Sequence, residues 1–103
     1  MKNISILLVC NAGMSTSLLI DKVKLAGEKQ GVDVSIDARP VDDIKDNLAG
    51  KQVVLLGPQV RFKLNQVKDI VEDKIPVDVI DMAAYGTMNG EKVLQQALKL
   101  VSE

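Results

Sequence analysis

Histidine and tryptophan are absent from this chain, and cysteine, phenylalanine and tyrosine occur once each. Without histidine there is no Cys–His catalytic pair, no imidazole metal site and no phosphohistidine carried by the chain itself. One cysteine makes no intrachain disulfide, which fits a reducing compartment. With Phe62 and Tyr85 as the only aromatics, base stacking has little to work with. The 13 basic and 14 acidic residues leave a net charge of −1, so the basic excess of a nucleic-acid footprint is missing too. The N-terminal apolar run, Ile4 to Val9, is too short for a signal peptide's apolar region or a membrane span. These absences predict a cytoplasmic protein with no direct membrane insertion, no nucleic-acid partner, no metal and no cofactor. A length of 103 residues suits one domain, 1–103, around a single core.

What is present is an alternation of strand-like apolar runs with helical patterns, the mark of a parallel α/β fold. Ile4 to Val9 reads as a first strand buried on both faces. Ser15 to about Gln30 reads as a helix with Leu19, Val23 and Ala26 on one side, stopped by Gly31. Val32 to Ala38 alternates apolar and polar residues, as a half-exposed edge strand does. Val41, Ile44 and Leu48 space out a short helix that ends at Gly50. Val53 to Leu56 is an uninterrupted apolar run, so a central strand. Gly57-Pro58-Gln59 turns the chain into a helix that buries Val60, Leu64, Val67 and Val71. Val77 to Ile80 is a fourth short strand. A last helix from about Gly90 to Val101 turns Leu94, Ala97, Leu98 and Val101 inward. Right-handed crossovers with the first and third strands central predict a four-stranded parallel sheet, order 2-1-3-4, with helices on both faces. Such a three-layer α/β/α fold binds ligands at the switch point, here between the carboxyl ends of the first and third strands.

Cys10 ends the first strand, and Gly57-Pro58-Gln59 follows the third, so the only thiol coincides with the predicted crevice. After Cys10 come Asn11, Ala12, Gly13, Met14, Ser15, Thr16 and Ser17, and then the helix. Gly13 permits a tight turn that brings amides to a ligand. Asn11, Ala12 and Ser15 are small, and the hydroxyls of Ser15, Thr16 and Ser17 can cap the helix or donate to an anion. Amides at a helix N-terminus favour an anion, whether phosphate or thiolate, and the thiolate is the nucleophile. A lone cysteine on an apolar strand is usually an inert core residue. Cys10 lies past the last apolar residue beside Asn11, which predicts incomplete burial. A nucleophile in a phosphate cradle suggests a covalent phosphocysteine. The phosphatase signature Cys-x-x-x-x-x-Arg would place arginine at Thr16, and neither Lys nor Arg occurs from Cys10 to Ser17. Without that clamp on the phosphoryl group, the loop suits a carrier that hands phosphate to a matched acceptor. A cysteine-dependent phosphatase and a non-catalytic anion-binding module stay open as alternatives.

Val9 to Leu19 with its Cys-x-Ala-Gly-Met-Ser-Thr-Ser motif, Leu56-Gly57-Pro58-Gln59, and Val79-Ile80-Asp81 through Tyr85-Gly86 together resemble enzyme IIB of the sugar phosphotransferase system, lactose, cellobiose and chitobiose type. The similarity covers nearly the whole chain. It implies that Cys10 accepts a phosphoryl group from a phosphohistidine of enzyme IIA. It also implies transfer to a disaccharide bound by the membrane component, enzyme IIC, during uptake.

Further residues fall near the same sheet end. Pro58, Gln59, Arg61, Met82 and Tyr85 form a candidate partner rim, with Gln59 placed to offer an amide and Pro58 to shape the turn. Arg61 and Lys63 suit acidic groups on a partner, or a solvated helix face. Met14 suits a partner contact or packing beneath its own loop. Tyr85 reads as an ordinary half-buried tyrosine, with a hydroxyl that helps to bind phosphate as the alternative. Asp81, at the end of the fourth strand, reads as an N-cap or turn residue rather than a general acid, because a carboxylate beside phosphate would repel it.

Overall fold

The computed structural model describes residues 2–10 and 16–102. Its elements are β1 (Lys2–Val9), α1 (Thr16–Gln30), β2 (Val32–Arg39), β3 (Val53–Leu56), α2 (Leu64–Val71), β4 (Val77–Val79), α3 (Met82–Gly86) and α4 (Gly90–Ser102). The strands form one four-stranded sheet in the order β2-β1-β3-β4, and each neighbouring pair is parallel. This is the predicted topology.

Alternation along the two central strands builds two cores. Ile4, Ile6 and Leu8 of β1 and Val53 and Leu55 of β3 face Leu19, Val23 and Ala26 of α1 and Val93, Leu94 and Ala97 of α4. Leu7, Val9, Val54 and Leu56 face the other way, against Val41, Ile44, Val60 and the α2 residues Val67 and Val71. Central strands with both faces covered must be apolar throughout, which is why β3 is the unbroken run Val-Val-Leu-Leu. Each such side chain contributes about 1.5–3 kcal/mol by leaving water. On the edge strand β2 the alternation is half polar: Val32 and Ile36 are buried while Asp33, Ser35, Asp37 and Arg39 are exposed.

Two glycines fix how α1 sits. Gly31, at φ +71°, ends the helix in a conformation that side chains disfavour. Gly90 opens α4 directly against α1: a Cβ there would run into the backbone of Lys22 and Val23.

The structure departs from the expected elements at three places between β2 and α4. The segment after β2 is not an α-helix but two 3-10 turns, Val41–Asp43 and Lys45–Asn47. The stretch from Val41 to Gly50 is too short to offset the cost of nucleating an α-helix. It still buries Val41 and Ile44 as the spacing required. After Gly57 the chain is likewise 3-10 from Pro58 to Lys63, kinked at Val60, and α2 begins only at Leu64. The third is α3, a short helix absent from the sequence reading; Asp81 caps it by accepting from the Ala84 N–H at 3.0 Å. In α4 the inward face includes Val93, while Leu98 and Val101 are only half-buried.

Candidate functional site

The sheet's carboxyl end is a row of backbone built one residue beyond the last strand pairs. Cys10 N–H donates to the Arg39 carbonyl at 3.2 Å, Gly57 N–H to the Val9 carbonyl at 2.9 Å, and Ile80 N–H to the Leu56 carbonyl at 2.8 Å. The register pairs Val9 with Leu56 and Leu56 with Val79, so Cys10, Gly57 and Ile80 lie side by side. The order β2-β1-β3-β4 reverses direction between β1 and β3, which puts Cys10 and Gly57 at the switch point.

Cys10 is only 4% exposed, against the expectation of incomplete burial. Cys10 lies one residue past the end of β1, yet its N–H continues the ladder to the Arg39 carbonyl, and Gly57, bonded to the Val9 carbonyl, lies on its other side. Asn11, Ala12, Gly13, Met14 and Ser15, the core of the predicted phosphate loop, lie outside the described residues. Thr16 is the first residue of α1, and Ser17 is exposed in its first turn, which carries no acidic side chain. The strand before and the helix after are therefore as expected, and the first-turn amides of α1 follow the thiol in the chain.

Beyond Gly57 the remaining candidates converge in part. Gln59 Nε2 donates to the Tyr85 hydroxyl at 2.8 Å, joining the turn after β3 to α3. Tyr85 is half-buried and packs on the α1–α4 core. Asp81 is occupied as the α3 cap. The Arg61 guanidinium folds back to donate to the Pro58 carbonyl at 3.0 Å, bracing its own turn. Pro58 is buried, so it shapes that turn and has little surface for a rim; Gln59, Arg61 and Met82 are exposed. Sequence reasoning did not single out Phe62, which is 75% exposed beside the turn with Lys63 Nζ 5.8 Å from its ring centroid. Its signal was an aromatic residue outside the apolar spacing of the helix. Gln96 was also missed: its Nε2 donates to Asp78 Oδ2 at 3.0 Å and the Val79 carbonyl at 2.8 Å, pinning α4 to β4.

A three-layer parallel domain whose one thiol closes a central strand at the switch point is the class that fold and site define. Within that class, the chain belongs to the lactose/cellobiose-specific IIB subunit family of the phosphotransferase system, whose family model matches residues 5–96. It is 45% identical over 103 residues to the galactose-specific EIIB component of Lactococcus lactis subsp. cremoris, covering 94% of this chain and 95% of that one. Identity and coverage are the same for the cellobiose-specific EIIB component of Lactococcus lactis subsp. lactis: 45%, 94% and 95%. The solution structure of a cellobiose-specific phosphotransferase IIB component from Borrelia burgdorferi superposes with a TM-score of 0.80 at 39% identity, covering 97% of this chain and 93% of that one. The fold and family expected from the resemblance are thus shown, and IIB components are phosphotransferases of sugar uptake. Among the described residues no helix is long and apolar enough to cross a membrane.

Proposed function

We propose that residues 1–103 form one cytoplasmic IIB domain in which Cys10 carries the phosphoryl group. The donor is a phosphohistidine of enzyme IIA. The Cys10 sulfur attacks phosphorus, the S–P bond forms, the N–P bond breaks, and the electron pair returns to the imidazole nitrogen. The acceptor is a disaccharide held by membrane enzyme IIC. Its hydroxyl oxygen attacks the same phosphorus, the S–P bond breaks, the thiolate is regenerated, and the hydroxyl proton passes to a base or to water. Between the two steps, the amides and hydroxyls of residues 11–17 hold the phosphoryl oxygens. The observation that carries this reading is the place of the only thiol, in the row at the switch point and at the start of the segment leading into α1. The relatives named for galactose and for cellobiose are equally similar to this chain, which supports a sugar choice made by enzyme IIC.

Mass spectrometry after incubation with phosphorylated enzyme IIA tests it. The expected result is a gain of one phosphoryl group on the peptide that contains Cys10. Modification elsewhere, or sustained hydrolysis of a chromogenic phosphate ester in place of a stable adduct, would overturn the carrier in favour of a phosphatase. Binding of phosphate with no adduct would favour an anion-binding module.

A further inference from the structure

We propose that Gln59 contacts the phosphoryl group on Cys10, and that Tyr85 positions Gln59 by holding its carboxamide; this rests on the carrier reading of Cys10. Gly57 continues β3 with extended backbone, φ −61° and ψ 149°. Paired residues of β1 and β3 project to the same side: Leu8 and Leu55 toward α1 and α4, Val9 and Leu56 toward α2. By the same alternation Cys10 and Gly57 share the side of Leu8 and Leu55. Gly57 has no side chain to fill its place there. That place is taken by Gln59 and Tyr85: a Cβ on Gly57 would collide with Gln59 Oε1 and would touch Tyr85 Cε2 at 3.6 Å. Gln59 is exposed, yet it is folded back over the row and tied to the Tyr85 hydroxyl. It lies one strand from Cys10, and neighbouring strands are about 4.8 Å apart.

A phosphoryl group on Cys10 brings negative charge and oxygens that only accept hydrogen bonds. A carboxamide suits it, offering N–H donors with no charge to repel. In the present orientation the oxygen lies over Gly57 and the nitrogen faces Tyr85. On phosphorylation the carboxamide turns over, so that Nε2 donates to the phosphoryl oxygen and Oε1 accepts from the Tyr85 hydroxyl. A hydroxyl both donates and accepts, so Tyr85 holds either orientation. The pair thus has one arrangement for the thiol and another for the phosphocysteine.

Three chains are compared with phosphorylated enzyme IIA in single-turnover experiments: the parent, Gln59→Glu and Tyr85→Phe. Gln59→Glu keeps the shape but replaces the donor with an acceptor. Its phosphorylation should slow about tenfold or more, the size of one hydrogen bond to a charged group. Tyr85→Phe keeps the ring and removes the anchor, so its loss should be smaller than that of Gln59→Glu. In the parent, the NMR resonances of the Gln59 side-chain amide should shift on phosphorylation, and Tyr85→Phe should diminish the shift. Parental rates in Gln59→Glu, or amide resonances that do not move in the phosphorylated parent, would overturn the proposal while leaving the carrier intact. A parent chain that takes up no phosphoryl group would overturn both.

Discussion

Cys10→Ser replaces sulfur with a smaller, more polar oxygen at a site only 4% exposed, so the substitution tests packing as well as chemistry. Phosphorylation should be abolished. Stability should fall by about 1 kcal/mol, because the hydroxyl must find a partner where the thiol was accommodated. Circular dichroism and urea unfolding would check the second expectation; loss of the fold would make Cys10 structural. A different residue pair governs behaviour in acid. The Lys51 ammonium, 2.9 Å from Asp37, holds that carboxyl below the usual carboxylate range through a hydrogen bond and its charge. A carboxyl with a lowered folded pKa stabilises the native state above its unfolded value of about 3.9. That contribution is lost as pH falls through the lower folded value. The Asp37 side chain is half exposed, so the pair contributes under about 1 kcal/mol. Lys51→Met should therefore lower the urea midpoint slightly near neutral pH, and parent and variant should converge in acid once the Asp37 carboxyl is protonated. An undiminished gap in acid would show that Lys51 acts by packing its largely buried stem instead.

At the scale of elements, a sequence is legible where one element repeats its pattern several times. β1, α1, β3 and α4 were placed within a few residues because their apolar positions recur and their stops are glycines or turns. The short segments were not. Two buried residues, Val41 and Ile44, satisfy an α-helical and a 3-10 spacing alike, and the local hydrogen bonds Ile44 N–H to Val41 carbonyl and Asn47 N–H to Ile44 carbonyl decide between them. Of the N-cap and turn roles that the sequence allows Asp81, the structure shows the cap, yet the five residues of α3 are too few to show a period. The burial of Cys10 depends on strands paired from elsewhere in the chain, so no local pattern could reveal it. One inter-element contact is sharp enough to predict from. Gly90 lies against the Lys22 and Val23 backbone, which cannot give way as a side chain can. Gly90→Val should push α4 off α1 and cost about 3 kcal/mol or more. Gly86→Ala, where a Cβ meets open space, should leave the unfolding midpoint nearly unchanged. Equal midpoints for the two variants would mean that α4 shifts freely on α1.

For the molecule as a whole, the distribution of exposed apolar surface is the informative quantity. Among the described residues the exposed large apolar side chains are Leu18 at 52%, Leu25 at 46%, Phe62 at 75% and Met82 at 63%. Leu18 is in the first turn of α1, Phe62 in the turn segment after β3, and Met82 opens α3. Each lies in the segment that follows the carboxyl end of a strand, the end of the sheet that holds Cys10. Packing inside one domain does not require this, and the proposed docking of a partner over the thiol would use it. If Cys10 carries the phosphoryl group as proposed, donor and acceptor must each reach the same phosphorus in line, and both partners then use this end in turn. Arg61 and Lys63 beside Phe62 favour a partner with acidic groups around an apolar patch. Phe62→Ser should leave the unfolding midpoint within about 0.5 kcal/mol, as suits a surface change. It should raise the KM for phosphorylated enzyme IIA about tenfold, the loss of one apolar anchor, with kcat little changed. Isotope-labelled protein titrated with enzyme IIA should show NMR shifts at Leu18, Gln59, Phe62 and Met82. Shifts centred instead on Gly31 and Lys51, at the amino ends of β2 and β3, would place the partner on the far side of the sheet. No phosphoryl group could then pass in line to Cys10, and the carrier reading would fail even if the thiol proved reactive.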